Sequence, residues 1–439
     1  MNALNQINTM NTTSGEKNGT VFLNTAASIG ARLCRDALWD GARCNWMGDS
    51  MEFESNAWTV VHRVFGPELY NGTSGIALFL GQLYRATGEK PFKTAAIGAA
   101  LQAASRAGGI PEASRAGFYS GQTGIAYVLS ELADLFDRDD LLEAAFSLIE
   151  GLQPLKLDAH LLDVISGSAG AIPAFLRFYR KYTKEVFLQL AVRHGEHLLK
   201  TANQHDEGSS WTTIAMPGQP DLLGFSHGTA GIGWALTELH HSIQDRRYRE
   251  AARAAFRYER HHFSAQHENW PDLRSLQTVQ PGQKAEPSYA VAWCHGAPGI
   301  GLSRLRCFQL TGDPELRREA EAAIRTTMKA LDPGLYGGQA NFSLCHGLGG
   351  NAELLLYGAE VLNRKDWAAA AQHLGLQGIQ MYEKNRMPWP CGVLGGGETP
   401  NLLLGLAGIG HFYLRLHDAA AYPSVLIVTS QTEALAAAA

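Results

Sequence analysis

Cys294-His-Gly-Ala-Pro-Gly299 and Cys345-His-Gly-Leu-Gly-Gly350 are two copies of one unit. In each, a Gly-x-x-Gly turn leads into an apolar run, Ile300–Leu305 after the first and Ala352–Tyr357 after the second. Five more turns of this kind lie at Gly72-Thr-Ser-Gly75, Gly121-Gln-Thr-Gly124, Gly167-Ser-Ala-Gly170, Gly228-Thr-Ala-Gly231 and Gly405-Leu-Ala-Gly408, each followed by a similar run. Their first glycines are 46 to 68 residues apart. Self-similarity at such a period marks a fold assembled from repeated supersecondary units.

The runs are apolar around most of the helical circumference, so they read as buried helices. Between them lie amphipathic, charged stretches at 92–106, 139–152, 183–201, 246–263, 313–331 and 365–384, which read as outer helices with one wet face. A further helix is expected over 21–42, from the spacing of Phe22, Ala26, Ile29, Leu33 and Ala37. The count is then seven inner and seven outer helices, an all-α chain. A closed α/α toroid is preferred to an open solenoid because no copy has the polar outer face of a capping repeat. Residues 1–20 read as a disordered polar lead, 43–69 as irregular, 21–423 as the toroid and 424–439 as a C-terminal tail.

The glycines are expected to be architectural. The first of each pair would take positive φ at the turn, and the second would let helices approach closely. A phosphate loop needs Gly-Lys-Ser/Thr after such a turn, and none of the seven has it.

Composition narrows the class further. The 439 residues carry a net charge of −5, which gives no electrostatic basis for binding nucleic acid. No run reaches the roughly 18 apolar residues of a membrane-spanning helix. The polar N-terminus lacks the apolar core of a secretory signal, so a cytoplasmic, reducing setting is expected. There, the six cysteines are more often ligands, nucleophiles or core residues than disulfides.

In a toroid, the residues just before the turns gather at one mouth. They are Tyr70-Asn71, Tyr119-Ser120, Ile165-Ser166, Ser226-His227, Cys294-His295, Cys345-His346 and Leu404. Polar and metal-competent side chains concentrate in copies four, five and six. Two thiolates and an imidazole suit Zn²⁺, with an open fourth position as in catalytic sites. Cys294 and Cys345, with His295 and His346 beside them, supply that chemistry. Cys34, Cys44 and Cys307 read as core or loop thiols, and Cys391 as structural. The longest gap between turns contains a polar loop over 261–287 bearing Arg274 and Lys284, either a rim to the cavity or an ordinary surface loop.

At these residues the chain resembles the lanthionine synthetase C-like cyclases. The matching segments are Asp163-Val-Ile-Ser-Gly-Ser-Ala-Gly170, Gly224-Phe-Ser-His-Gly-Thr-Ala-Gly231, Ala292-Trp-Cys-His-Gly-Ala-Pro-Gly-Ile-Gly301, Ser343-Leu-Cys-His-Gly347 and Leu69-Tyr-Asn-Gly72. The wording is nearest to the cyclase domain of class II lanthipeptide synthetases. The chain has no room for the dehydratase domain of those enzymes, so a stand-alone cyclase or a separate domain, paired with a dehydratase, is expected. The resemblance implies an α/α toroid and a zinc ion held by Cys294, Cys345 and His346. It also implies acid/base residues at His227 and Asp163. The implied reaction is a lyase-type C–S bond formation: a peptide cysteine adds to dehydroalanine or dehydrobutyrine of the same precursor peptide and closes a thioether ring. Where nisin-type members carry Tyr, this chain has His295, either an extra proton donor or a cavity-wall residue. Where they carry an upstream Arg, it has Ala290.

The residues support that chemistry. A free thiol is only a few per cent thiolate at neutral pH, and zinc ligation deprotonates it. His227 can carry the proton, and Asp163 can either orient it or cap a turn. The rival readings are a relative that adds glutathione to dehydrated residues, a zinc prenyltransferase and a non-catalytic peptide-binding scaffold. The prenyltransferase would need a Lys/Arg cluster for diphosphate that this register lacks.

Overall fold

The structure, a computed structural model, describes residues 13–54, 57–214, 220–274, 286–336, 340–395 and 397–429. Among the described residues there are fourteen α-helices and three two-stranded hairpins. The inner helices are α2 (Thr73–Thr87), α4 (Gln122–Phe136), α6 (Ser168–Tyr182), α8 (Thr229–Ile243), α10 (Ala297–Thr311), α12 (Leu348–Leu362) and α14 (Leu406–His417). Each packs on the next, and α14 returns to α2, so the ring is closed. The outer helices α3 (Lys90–Arg106), α5 (Asp139–Glu150), α7 (Glu185–Lys200), α9 (Arg246–His261), α11 (Pro314–Lys329) and α13 (Lys365–Gly378) each back the inner helix before them. The first helix, α1 (Thr13–Arg35), backs α14. The all-α toroid of seven helix pairs is therefore the fold.

Closure is visible in the backbone. The segment before each turn donates an amide to the same segment of a neighbouring copy. Tyr70 N–H bonds Tyr119 O at 2.8 Å, Tyr119 N–H bonds Ile165 O, Val164 N–H bonds Ser226 O and Ser226 N–H bonds Cys294 O. Cys294 N–H then bonds Cys345 O at 3.3 Å, Cys345 N–H bonds Leu403 O at 2.9 Å, and Leu403 N–H bonds Tyr70 O at 3.0 Å. Seven copies thus satisfy one another's polar backbone with no open edge, much as a barrel abolishes sheet edges.

The glycines work differently from the expectation. Six of the seven first glycines have extended φ, between −115° and −132°; only Gly296, at 95°, is positive. What excludes a side chain is space. A Cβ on Gly124 would overlap the Phe118 carbonyl, and one on Gly408 the Leu402 carbonyl, as happens at every second glycine with the carbonyl six residues before it. The turn backbone folds against the segment that carries the ring bonds, and only glycine leaves room.

Several boundaries move. The helix expected over 21–42 runs Thr13–Arg35, so part of the lead expected to be disordered is helical; residues 1–12 lie outside the described residues. The stretch 43–69 is not irregular. Its β2 (Arg43–Asn45) pairs with β1 (Leu38–Asp40), which lies within the expected helix 21–42, and its β3 (Met47–Glu54) pairs with β4 (Ala57–Val64). Val60, Val61 and Val64 give β4 its strand propensity, while the polar, Val- and Ile-free β3 disguises the pair. The remaining hairpin, β5 (Asn203–His205) with β6 (Gly208–Ser210), precedes the fourth turn. Residues 424–429, expected to be tail, run into the interior, and 430–439 lie outside the described residues.

Buried ion pairs tie inner helices together lower down. Arg306 of α10 meets Glu238 of α8 at 2.6 Å, and Arg415 of α14 meets Glu353 of α12 at 3.1 Å. Breaking one such pair leaves an uncompensated buried charge, at a cost of about 3–5 kcal/mol. No described helix is long and apolar enough to cross a membrane.

Candidate active site

The ring bonds place the turn-leading residues of adjacent copies side by side. At copies five and six this brings Cys294, Cys345 and His346 together, their ligand atoms all within 4.8 Å of one another. Among the described residues this is the one cluster of three or more His, Cys, Asp or Glu so placed. Cys345 is buried, Cys294 half-buried, and His346 exposed at the mouth. His346 Nε2 donates to the Gly392 carbonyl at 2.9 Å. That bond fixes the tautomer and leaves Nδ1 as the free donor atom, the outer-shell arrangement that metal-binding histidines use. Two thiols and one oriented imidazole fit a tetrahedral Zn²⁺ with one position open.

The two thiols affect each other in opposite directions. The hydrogen bond from Cys345 holds the Cys294 thiol below the usual range against the effect of burial, and the Arg274 and His227 charges act in the same direction. Donating that bond, together with burial, pushes Cys345 well up. Cys345 also receives a hydrogen bond from the Tyr70 hydroxyl, contributed by the first copy.

Beside the thiols, His227 Nδ1 meets Asp163 Oδ2 at 2.5 Å. The other carboxylate oxygen, Oδ1, accepts the Ser166 amide at 2.7 Å, so Asp163 both orients the histidine and caps its own turn. Burial pushes the His227 imidazole down, and the Asp163 carboxylate more than offsets it, so its pKa lies above the ordinary histidine value. Its side chain remains 27% exposed.

His295 stands apart from the ligands. It is 3% exposed, with its ring 6.0 Å from that of His227. Burial, reinforced by the Arg274 guanidinium, pushes its pKa down to about 3. Its ring is therefore uncharged at neutral pH.

Three contributors were not read from the sequence. Tyr70 was placed in the register without a role. The Gly392 carbonyl follows Cys391, which is buried and outside the cluster, as are Cys34, Cys44 and Cys307. Arg274 comes from the described start of the long loop. Asp272 holds it bidentately, at 3.0 Å and 2.7 Å; against the effect of burial, that hydrogen bond and the Asp272 charge raise its pKa, and the nearby thiols add to the rise. The loop therefore supplies a guanidinium to the neighbourhood in which Ala290 has none. Residues 275–285, including Lys284, lie outside the described residues.

The chain is 23% identical over 312 residues to the Lacticin 481/lactococcin biosynthesis protein LcnDR2 of Lactococcus lactis subsp. lactis, covering 68% of this chain and 30% of that protein. It thus spans about a third of the length of this relative. In structure it is similar to nisin cyclase, with a TM-score of 0.62 and 19% identity, covering 81% of this chain and 90% of that one. The profile of the lanthionine synthetase C-like proteins matches residues 63–427, and the chain belongs to that family.

Proposed function

We propose that this protein is a zinc-dependent lanthipeptide cyclase. The observation that carries the reading is the juxtaposition of Cys294, Cys345 and His346 with the His227–Asp163 pair at one mouth of the toroid. The substrate class is a precursor peptide whose Ser and Thr residues a dehydratase has already converted to dehydroalanine and dehydrobutyrine.

Bound by Cys294, Cys345 and His346, Zn²⁺ would supply an open coordination position in which a peptide thiol is held as thiolate at neutral pH. His227, held by Asp163 through Nδ1, presents Nε2 to take the thiol proton and to give a proton to the α-carbon after sulfur adds to the β-carbon. One C–S bond and one C–H bond form, the C=C bond is consumed, and the peptide's mass does not change. Asp163 stabilises the protonated imidazole between the two transfers. Arg274 provides a positive charge near the thiols.

The test uses zinc-loaded protein and a dehydrated precursor peptide. Cyclisation is read as protection of peptide thiols from alkylation by mass spectrometry. The expected result is progressive protection with the parent chain and none with Cys345→Ala. Equal accessibility with both proteins rejects the reading.

A further inference from the structure

The segment Ser424-Val-Leu-Ile-Val-Thr429 lies beyond the last helix, yet it is among the most deeply buried parts of the chain. Val425, Leu426, Ile427 and Val428 are 6%, 0%, 3% and 7% exposed. Its entry is fixed by Arg415, whose Nη1 donates to the Tyr422 carbonyl at 2.9 Å and to the Ala419 carbonyl at 2.5 Å. Inside, two aromatic donors satisfy its backbone. Tyr119 Oη donates to Val425 O at 2.8 Å, and Trp293 Nε1 donates to Leu426 O at 2.9 Å.

Tyr119 belongs to the second copy and Trp293 to the fifth, three steps apart in a ring of seven and so nearly across it. Their rings meet edge to face at 5.2 Å. Both are themselves part of the ring of backbone bonds or next to it, since Tyr119 donates to Ile165 and Trp293 immediately precedes Cys294. On the other side of the segment lies a cavity of about 300 Å³ lined by the far ends of the inner helices, including Arg85, Glu131, Arg177 and Arg415, and by Ile427 itself. The segment therefore stands on the toroid axis, between that cavity and the mouth that carries the thiols.

We propose that residues 424–429 are an internal strut that positions the active site. Through the Leu426 carbonyl the strut holds the Trp293 indole, and through Trp293 it sets the place of Cys294. Trp293 and the strut are positioning elements, since they act through Cys294. The inference rests on the proposed function in assigning Cys294 to a metal, but the strut's hold on Cys294 is measurable without metal.

The experiment compares the parent chain, a chain ending at Ser430, one ending at Pro423, and Trp293→Phe in the parent and Pro423-terminated chains. Two readouts are taken: the alkylation rate of Cys294 in metal-free protein, by peptide mapping, and the affinity for Co²⁺, by its thiolate charge-transfer absorption. The chain ending at Ser430 should match the parent. The chain ending at Pro423 should retain a cooperative thermal transition, expose Cys294 to alkylation at least tenfold faster and bind Co²⁺ at least tenfold more weakly. A synthetic Ser-Val-Leu-Ile-Val-Thr peptide added in trans should restore both. Trp293→Phe keeps an aromatic ring and removes the donor; it should shift both readouts roughly fivefold in the parent. In the Pro423-terminated chain it should add nothing, because the two changes remove one interaction. Should the shorter chain not fold, Trp293→Phe in the parent decides. Parent-like values on both readouts in the folded variants overturn the strut. If the parent itself gives no thiolate–cobalt band, the metal reading falls while the alkylation rates still judge the strut.

Discussion

The turns at Cys294-His295-Gly296 and Cys345-His346-Gly347 are spelled alike and folded differently. In the sixth copy Gly347 is extended, at φ −115°, and Leu348 N–H bonds the Asn341 carbonyl seven residues back. Five other copies close their turns with the same seven-residue bond, for example Thr73 N–H to Gly66 O and Leu406 N–H to Thr399 O. In the fifth copy the equivalent acceptor is the Ala290 carbonyl, and the Asn269 side chain occupies it at 3.0 Å. The turn closes instead from Ala292 N–H to His295 O, and Gly296 turns to φ 95°. One histidine is thereby presented to the thiols and the other folded into the wall beside His227. A repeated motif fixes where its cysteine sits, through the ring bonds, but not where the following side chain points.

The largest expected break in this pairing is at the cysteines, which the two turns use alike. Cys294→Ala and Cys345→Ala should each lower metal affinity by more than about a hundredfold and abolish ring formation, as read by metal analysis of purified protein and by the alkylation assay. The histidines should separate. His346→Ala should cost more than the roughly 10–100-fold typical of an outer-shell loss, whereas His295→Ala should leave metal content at the parent value. Equal losses would mean that the two turns are functionally equivalent after all.

Next in size is Asp163, the partner of His227. Asp163→Asn should lower the cyclisation rate at least about tenfold. Because Asp163 raises the His227 pKa and His227 must be neutral to take the thiol proton, the variant should also move the acidic limb of the pH–rate profile to lower pH. The same linkage acts on stability. A folded pKa above the ordinary value of about 6.5 contributes stability that is full below that pH and is lost as pH rises through the raised value. Thermal stability of Asp163→Asn should therefore depend less on pH across that window than the parent's. The smallest effect is expected at the origin of the difference. Asn269→Ala, which frees the Ala290 carbonyl, should destabilise the protein by about 1–2 kcal/mol in denaturant titration and leave Co²⁺ binding in place.

Much of this was legible in the sequence. Seven Gly-x-x-Gly turns before apolar runs imply a toroid, and two cysteines at one register in adjacent copies imply a shared site. The reason for the glycines was not legible, because a requirement for space and a requirement for positive φ select the same residue. The hairpin pairing Met47–Glu54 with Ala57–Val64 was hidden because the first strand carries none of the β-branched alternation of the second. Arg274 and Tyr70 were hidden for another reason. Each reaches the thiols from a distant part of the chain, and only closure of the ring makes them neighbours. The run 424–429 reads as tail because a short apolar stretch after the last helix shows no partner until the axis it fills exists.

The ring of seven backbone bonds has one more consequence, for how such a protein can change over time. A unit added or lost would reopen the circle and alter the angle between every pair of neighbours, so copy number is locked. The length between units is not, because the linking segments run outside the circle, and here it varies from 46 to 68 residues. New chemistry at the mouth can therefore arrive by lengthening a single link. The longest link shows the room for it: it carries Asn269, bonded to the Ala290 carbonyl, and the Asp272–Arg274 pair, while the seven ring bonds stay intact.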